Sequence, residues 1–311
     1  MSNSGIIIGT RGSALALWQA RHVIERLKIA DPDLDIEVKR ITTQGDRVRD
    51  RALSAVGGKG LFVKEIETAL LAGEIDVAVH SLKDMPTALP GGLLFGAILE
   101  RADARDALVA RDGRSTLATL FLGARVGTSS LRRRAQLLAA RPDLEVVDLR
   151  GNVDTRLRKL QDGACDAAVL AVAGLVRLGY VDLISEFVLV DTMVPAPGQG
   201  ALCIEIRDDD ATVRNLISPL DHKETHQAVT AERSFLHQLE GGCRVPIGAY
   251  AEVNGDQLYL RGLVASSDGM RSVRDEIRGD TVHAAQLGLE LAERVASAGG
   301  KAILEAVQYG Q

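Results

Sequence analysis

Three sets of side chains in this sequence have types and spacings that suit chemistry. The first is Cys243, set in Glu240-Gly241-Gly242-Cys243-Arg244-Val245-Pro246-Ile247-Gly248. Glycines let the backbone bend there, so the thiol can project into open space. Glu240-Gly241 reads as a helix C-terminus, whose negative end raises a thiol pKa, while Arg244 beside it lowers it. Local sequence therefore leaves two readings open, a reactive thiol or a small residue in a turn. The second set is Ser81-Leu82-Lys83-Asp84-Met85-Pro86. It follows an apolar strand, at the carboxyl end where open α/β sheets place ligand contacts. The third is a group of arginines near turns: Arg132-Arg133-Arg134, Arg150, Arg156 and Arg177. Arg132 to Arg134 fall in the first turns of a helix capped by Ser129 or Ser130. Cations are disfavoured at a helix N-terminus unless an anion joins them. Guanidinium forks grip carboxylates through paired hydrogen bonds. The pattern points to a ligand with many carboxylates.

Elements that position these residues can be read in chain order. Gly5 to Thr10 is a short strand, Ser13 caps a helix with Leu17, Ala20, Ile24 and Leu27 on one face, and Asp35 to Ile41 alternates as a second strand. Strand, helix, strand is the mark of an α/β layer. Residues 42–60 break the pattern with charge and four glycines, and read either as a mobile lid or as a solvated loop. Gly57-Gly58-Lys59-Gly60 lacks the first glycine and the final Ser/Thr of a phosphate-binding loop. A helix to Ala72, ended by Gly73, and a strand Asp76 to His80 lead to Asp84.

An internal repeat follows. Ile8-Gly9-Thr10 matches Val126-Gly127-Thr128, and Leu70-x-x-Gly73-x-x-Asp76-x-Ala78-Val79 matches Leu160-x-x-Gly163-x-x-Asp166-x-Ala168-Val169. Between Gly9 and Gly73 lie 64 positions, between Gly127 and Gly163 only 36, an excess of 28 that approximates the inserted lid. Two similar lobes imply a cleft between them. Pro195-Ala196-Pro197-Gly198-Gln199-Gly200 reads as a hinge, and Ala201 to Ile206 as a strand returning to lobe one. The expected domains are 1–99 with 200–219, then 100–199, then 220–311. In the last, Asp221 and Glu224 suggest a capping box, and Asn254-Gly255 and Asp268-Gly269 separate the strands of a small antiparallel sheet. His222 and His226 have metal-pair spacing with no third ligand nearby, so exposed helix histidines are the plainer reading.

Composition narrows the function classes. The 311 residues are 46% apolar and 25% charged, as in an ordinary soluble protein of two or three domains. A net charge of −5 gives no support to general nucleic-acid binding. Three widely spaced cysteines, Cys165, Cys203 and Cys243, argue for a reduced compartment and against a disulfide framework. No signal-like start or membrane-length apolar run is seen, so a cytoplasmic protein is expected. On the residues alone, a small-anion binding protein and a metal-dependent lyase using His222 and His226 stand beside an enzyme built on Cys243 and Asp84.

The long motifs separate these readings. GTRGSALALWQ from Gly9, VGGKGLFVKE from Val56, HSLKDMP from His80, GTSSLRR from Gly127, LRGNVDTRL from Leu149, PAPGQG from Pro195 and EGGCRVPIG from Glu240 occur in this order. With them the chain resembles the porphobilinogen deaminase (hydroxymethylbilane synthase) family almost end to end. The resemblance implies two α/β lobes like a periplasmic binding protein with a hinge, plus a small C-terminal α/β domain carrying a three-stranded antiparallel sheet. It implies a transferase of tetrapyrrole biosynthesis that joins four porphobilinogen molecules head to tail with loss of ammonia. Nothing in the sequence suggests more than a monomer, and no nucleic-acid or membrane partner is expected. It also implies a dipyrromethane cofactor held by a thioether to Cys243. Asp84 is then the catalytic carboxylate, stabilising positive charge on a pyrrole nitrogen. Lys83, Thr128, Ser129, Ser130, Arg132, Arg133 and Arg150 are expected at the cofactor. Arg11, Ser13, Arg156, Arg177 and Gln199 are expected at the substrate, and Lys59 and Phe62 in the lid. Ala55 stands where the family often has lysine, and Arg134 extends the usual arginine pair.

Overall fold

The computed structural model describes residues 5–47, 63–239 and 245–308, which form two compact units. Unit 1 comprises Met1–Arg101 and Ala201–His226, and unit 2 comprises Ala102–Gly200 and Gln227–Gln311.

Unit 1 opens with β1 (Ile6–Thr10), α1 (Ala14–Ala30), β2 (Ile36–Arg40) and the single turn α2 (Gln44–Arg47). Then come α3 (Lys64–Leu71), β3 (Val77–Ser81), a 3-10 turn over Leu82–Asp84, and β4 (Leu93–Ile98). Unit 2 contributes β5 (Asp106–Ala110), β6 (Arg125–Gly127), α4 (Leu131–Ala140), β7 (Glu145–Val147), α5 (Val153–Gln161), β8 (Ala167–Ala171), α6 (Val172–Arg177) and β9 (Glu186–Val188). The chain returns to unit 1 with β10 (Leu202–Arg207) and α7 (Ala211–Ile217), and α8 (Lys223–Gln238) follows. The C-terminal segment holds β11 (Ile247–Asn254), β12 (Gln257–Ala265), β13 (Ser272–Asp280), α9 (Ala284–Val295) and α10 (Lys301–Gln308).

Each lobe is built on one five-stranded sheet, and the two sheets share a topology. Their orders are β2-β1-β3-β10-β4 and β7-β6-β8-β5-β9. In each, the first three strands and the fifth run the same way, and the fourth runs antiparallel between them. The fourth strand comes from a distant part of the chain in unit 1, because β10 enters only after the Ala102–Gly200 part of unit 2. The expected fold class, two α/β lobes and a small C-terminal α/β domain, is the one observed.

The repeat extends to single hydrogen bonds. Asp76 accepts the N–H of Ile7 at 2.9 Å, and Asp166 accepts that of Arg125 at 2.9 Å. Arg207 holds the other oxygen of Asp76 at 2.8 Å, and Arg111 that of Asp166 at 2.9 Å. Gly73 and Gly163 end α3 and α5 with φ of 69° and 84°, a conformation that costs glycine least.

Some details differ from the sequence reading. The buried face of α1 is Ala16, Gln19, Ala20, Val23 and Leu27, one step round the helix from the expected stripe. Gln19 is buried because its amide donates to Ser81 Oγ at 2.7 Å. Asp221 does not form the capping box. Its carboxylate takes the Ile98 N–H at 2.7 Å and His226 Nδ1 at 2.9 Å, while the His222 ring accepts the Thr225 N–H.

Within unit 2, β11, β12 and β13 form the antiparallel sheet β11-β12-β13, with turns at Gly255 and Gly269. Its own core gathers Phe235, Leu260, Leu291 and Val295 among others. A second small cluster, Ala135, Val194, Leu263 and Ala265, joins this sheet to α4. The segment read as a hinge is fastened at several points. Gln136 brackets Val194, accepting its N–H at 2.7 Å and donating to its carbonyl at 3.1 Å. Pro195 O accepts from Ala249, and the Glu232 carboxylate accepts from Gly198 and Ala251. The boundary between the units falls at its last residue, at Gly200–Ala201.

Candidate functional site

In unit 2 the site is built at the N-terminus of α4. Ser130 caps the helix by accepting the Arg133 N–H, and Thr128 Oγ1 accepts the Ser130 N–H at 3.2 Å. That turn directs Arg132 and Arg133 inward, where each is only 5% exposed. Both meet Asp106 of β5, whose carboxylate is fully buried. Arg132 Nη2 lies 2.8 Å from one oxygen, and Arg133 donates to the other at 2.7 and 3.1 Å. Remaining guanidinium donors reach the Val194 carbonyl at 2.7 Å and the Val169 carbonyl at 2.9 Å. Gln199 donates to Asp106 at 2.9 Å and to Ala104 O at 2.7 Å.

Burial works to raise the Asp106 carboxyl, but the Arg132 and Arg133 cations outweigh it and hold Asp106 well below the usual carboxylate range. The helix start therefore has an anion from the protein itself, which the sequence reading did not include. One carboxylate faces two guanidiniums, leaving a surplus positive charge beside a helix N-terminus. The Ser129 hydroxyl in the same turn is buried and has no hydrogen-bond partner among the described residues. An anionic ligand would answer both features.

The other arginines of unit 2 occupy different places. Arg150 follows β7, donates to Asp148 at 3.1 Å, and accepts Lys159 Nζ at its carbonyl. Arg156 lies in the first turn of α5, which Asn152 caps. Arg177 ends α6 and donates to Gly200 O at 2.7 Å; burial lowers its guanidinium to about 10. Arg134 donates to Val146 O at 3.0 Å and so fastens β7 rather than the site.

In unit 1, Arg11 is half-buried between β1 and α1, and Ser13 caps α1 by accepting the Ala16 N–H at 3.2 Å. Lys83 and Asp84 occupy the 3-10 turn after β3, with Asp84 exposed. Leu82 N–H donates to Ala201 O at 3.1 Å, so the turn is tied to the start of β10. Cys243, Lys59, Phe62, Ala55 and the glycines of residues 57–60 lie outside the described residues. His222 and His226 are engaged by Thr225 and Asp221. Among the described residues no group of three or more His, Cys, Asp and Glu is placed to hold a metal ion.

Sequence reasoning missed Asp106, Gln136 and the buried pair His80–Glu205. A signal existed for two of these. Asp106 stands before Ala-Leu-Val-Ala, and Glu205 interrupts Leu202-Cys-Ile-Glu-Ile; a charge in an apolar strand needs a buried partner.

These features define a class first: an α/β protein with a duplicated lobe, whose second lobe concentrates positive charge where a carboxylate-bearing ligand can meet it. Residues 6–215 match the family model "Porphobilinogen deaminase, dipyromethane cofactor binding domain", and residues 226–297 match "Porphobilinogen deaminase, C-terminal domain". The chain belongs to the porphobilinogen deaminase family. It is 49% identical over 306 residues to the porphobilinogen deaminase of Desulforamulus reducens, covering 98% of this chain and 99% of that protein. It is 52% identical over 307 residues to that of Trichlorobacter lovleyi, covering 99% and 98%. Among solved structures, the second substrate-binding domain of a putative amino acid ABC transporter from Streptococcus pneumoniae aligns with a TM-score of 0.44 at 13% identity, covering 70% of this chain and 91% of that one.

Proposed function

We propose that the chain is a transferase that condenses four porphobilinogen molecules head to tail with loss of four ammonia, then releases linear hydroxymethylbilane by hydrolysis. The observation that carries this reading is the match to both family domains, which includes the residues around Asp84 and Cys243.

The surplus charge at α4 and the buried Ser129 hydroxyl fit a polycarboxylate such as dipyrromethane. Bound by a thioether to Cys243, the dipyrromethane would supply the nucleophilic pyrrole carbon that receives the first substrate unit. Arg132 and Arg133, held by Asp106, give a rigid positive floor; Thr128, Ser129 and Ser130 offer hydroxyl and backbone donors. Lys83 and Arg150 add cations for acetate and propionate groups. Arg11, Ser13, Arg156 and Arg177 take the incoming substrate, Gln199 braces Asp106, and Lys59 and Phe62 belong to the proposed lid. Asp84, exposed at the strand end, faces pyrrole N–H groups and balances the positive charge that grows as ammonia departs. The proposal includes the three domains 1–99 with 200–219, 100–199 and 220–311. It also includes a cytoplasmic monomer working without nucleic acid or membrane. The net charge of −5 and the buried free thiols of Cys165 and Cys203 are consistent with this. No helix among the described residues is long and apolar enough to cross a membrane.

Intact mass tests the reading directly. Natively purified protein should exceed the bare polypeptide by two linked pyrrole units, and Cys243→Ser should remove the excess. A purified wild type with the bare mass and an alkylatable thiol at Cys243 would overturn it.

A further inference from the structure

Lobe one buries a cluster of ionisable groups that lobe two does without. His80 on β3 and Glu205 on β10 lie on the same sheet face, because Cys203 pairs with His80 and Glu205 is two residues further on. His80 Nε2 and Glu205 Oε2 are 3.1 Å apart, with side chains 4% and 0% exposed. Among the described residues, the second oxygen of Glu205 is buried without a hydrogen-bond partner, and so is one oxygen of Glu67 on α3. Burial first, and the field of Glu205 second, raise the Glu67 carboxyl, against the opposing effect of His80. Among the described residues, Glu205 and His80 are the ionisable groups that act on it. Two buried carboxyl groups that repel each other, each with an oxygen lacking a donor, are relieved when Glu67 carries a proton.

The repeat supplies an internal control. Counting from the matched Leu70 and Leu160, Glu67 corresponds to Leu157 and His80 to Leu170. In the sheet register, Glu205 pairs with Ala78 as Val109 pairs with Ala168. Leu157, Leu170 and Val109 are all buried and belong to one apolar cluster. This fold therefore closes its core at these three places with aliphatic side chains. The polar cluster is a property of the lobe that carries Lys83 and Asp84, and His80 is three residues before Lys83 on the same chain. Glu205 lies on the strand whose entry, Ala201 O, receives the Leu82 N–H.

We propose that Glu67, His80 and Glu205 form a buried positioning cluster that fixes β3 against β10 and so sets the Lys83–Asp84 turn. This rests on the role given to Asp84 above. The cluster touches no reacting atom, so its members are positioning residues. Glu67 holds its proton more tightly folded than unfolded. Its contribution to stability is therefore present below the ordinary glutamate pKa of 4.5 and is lost as pH rises toward the raised folded value.

The test transplants the core of lobe two into lobe one as Glu67→Leu, His80→Leu and Glu205→Val together. Apolar replacement of a buried polar cluster is often neutral or stabilising, so Tm should equal or exceed that of wild type. Turnover should fall roughly ten- to a hundredfold with KM little changed, because the turn loses its setting. Glu67→Gln keeps a donor toward Glu205 and should retain most turnover, whereas Glu67→Leu should not. That pair decides the matter if the triple variant does not fold. A folded triple variant with wild-type kcat and pH profile, or a Glu67→Gln as damaging as Glu67→Leu, overturns the proposal. Independently of turnover, a protonated-carboxyl infrared band that persists above the ordinary glutamate pKa should vanish in Glu67→Gln; its absence from wild type also counts against it. A wild type that forms no hydroxymethylbilane would instead refute the functional reading, leaving the infrared result to judge the cluster.

Discussion

At the end of the third parallel strand, lobe one turns through Leu82–Asp84 and leaves Asp84 exposed, whereas lobe two runs from β8 straight into α6, an apolar helix ending in Arg177. At the first helix the contrast reverses. After its serine cap, lobe one continues Ala14-Leu15-Ala16, and lobe two continues Leu131-Arg132-Arg133. One scaffold thus carries an exposed acid in one copy and buried cations in the other. The strands, the aspartate latch and the helix-ending glycines are shared, so they belong to folding. The side chains that break the correspondence include those proposed above to serve chemistry.

Removing the acid should have the largest effect. Asp84→Asn should lower hydroxymethylbilane formation by about 10²–10⁴-fold while Tm stays near wild type, since the carboxylate is exposed and supports no described hydrogen bond in the core. Near-normal product formation would erase the distinction between the lobes at this position. Lobe two should respond differently. Asp106→Leu installs the residue that lobe one has at the paired position, Leu202, and leaves two buried guanidiniums without their shared anion. The expected cost is about 3–5 kcal/mol, measured by urea unfolding. The folded pKa of Asp106 is depressed, so its stabilisation is present above the ordinary aspartate value and is lost progressively as pH falls from there through the depressed value. The wild-type acid limb from this group should therefore begin below the ordinary aspartate pKa and end only in strong acid.

The smallest effect should sharpen the shared part. Arg207 donates to Leu70 O, Ile75 O, Asp76 and Asp210 and is 18% exposed, whereas its counterpart Arg111 holds Asp166 and is 45% exposed. Arg207→Ala should cost about 1–2 kcal/mol and Arg111→Ala about 0.5 kcal/mol or less. Equal costs would mean that the latch acts alike in both lobes despite its different burial.

The two lobes were legible in the sequence because α/β units write themselves locally: an apolar strand, a capped helix, a glycine stop and a second strand, repeated in order. The C-terminal sheet was legible from Asn254-Gly255 and Asp268-Gly269, whose turn chemistry is also local. The Asp84, arginine and Cys243 motifs likewise stood out as contiguous strings, and the family followed from them. Arg134 shows the limit of this reading: its neighbours look like site residues, yet its side chain reaches from α4 to Val146 O on β7.

By itself, then, the sequence determined periodicity, turns, caps and motif order, since these depend on residues within a few positions of one another. Tertiary structure alone decided which charges meet. Asp106 and Arg133 are 27 residues apart, and His80 and Glu205 are 125 apart. The second pairing depends on a strand, β10, that joins its sheet only after a whole lobe has been built. Burial then makes each such meeting count, because a charge removed from water must find its partner in the protein or hold a proton instead.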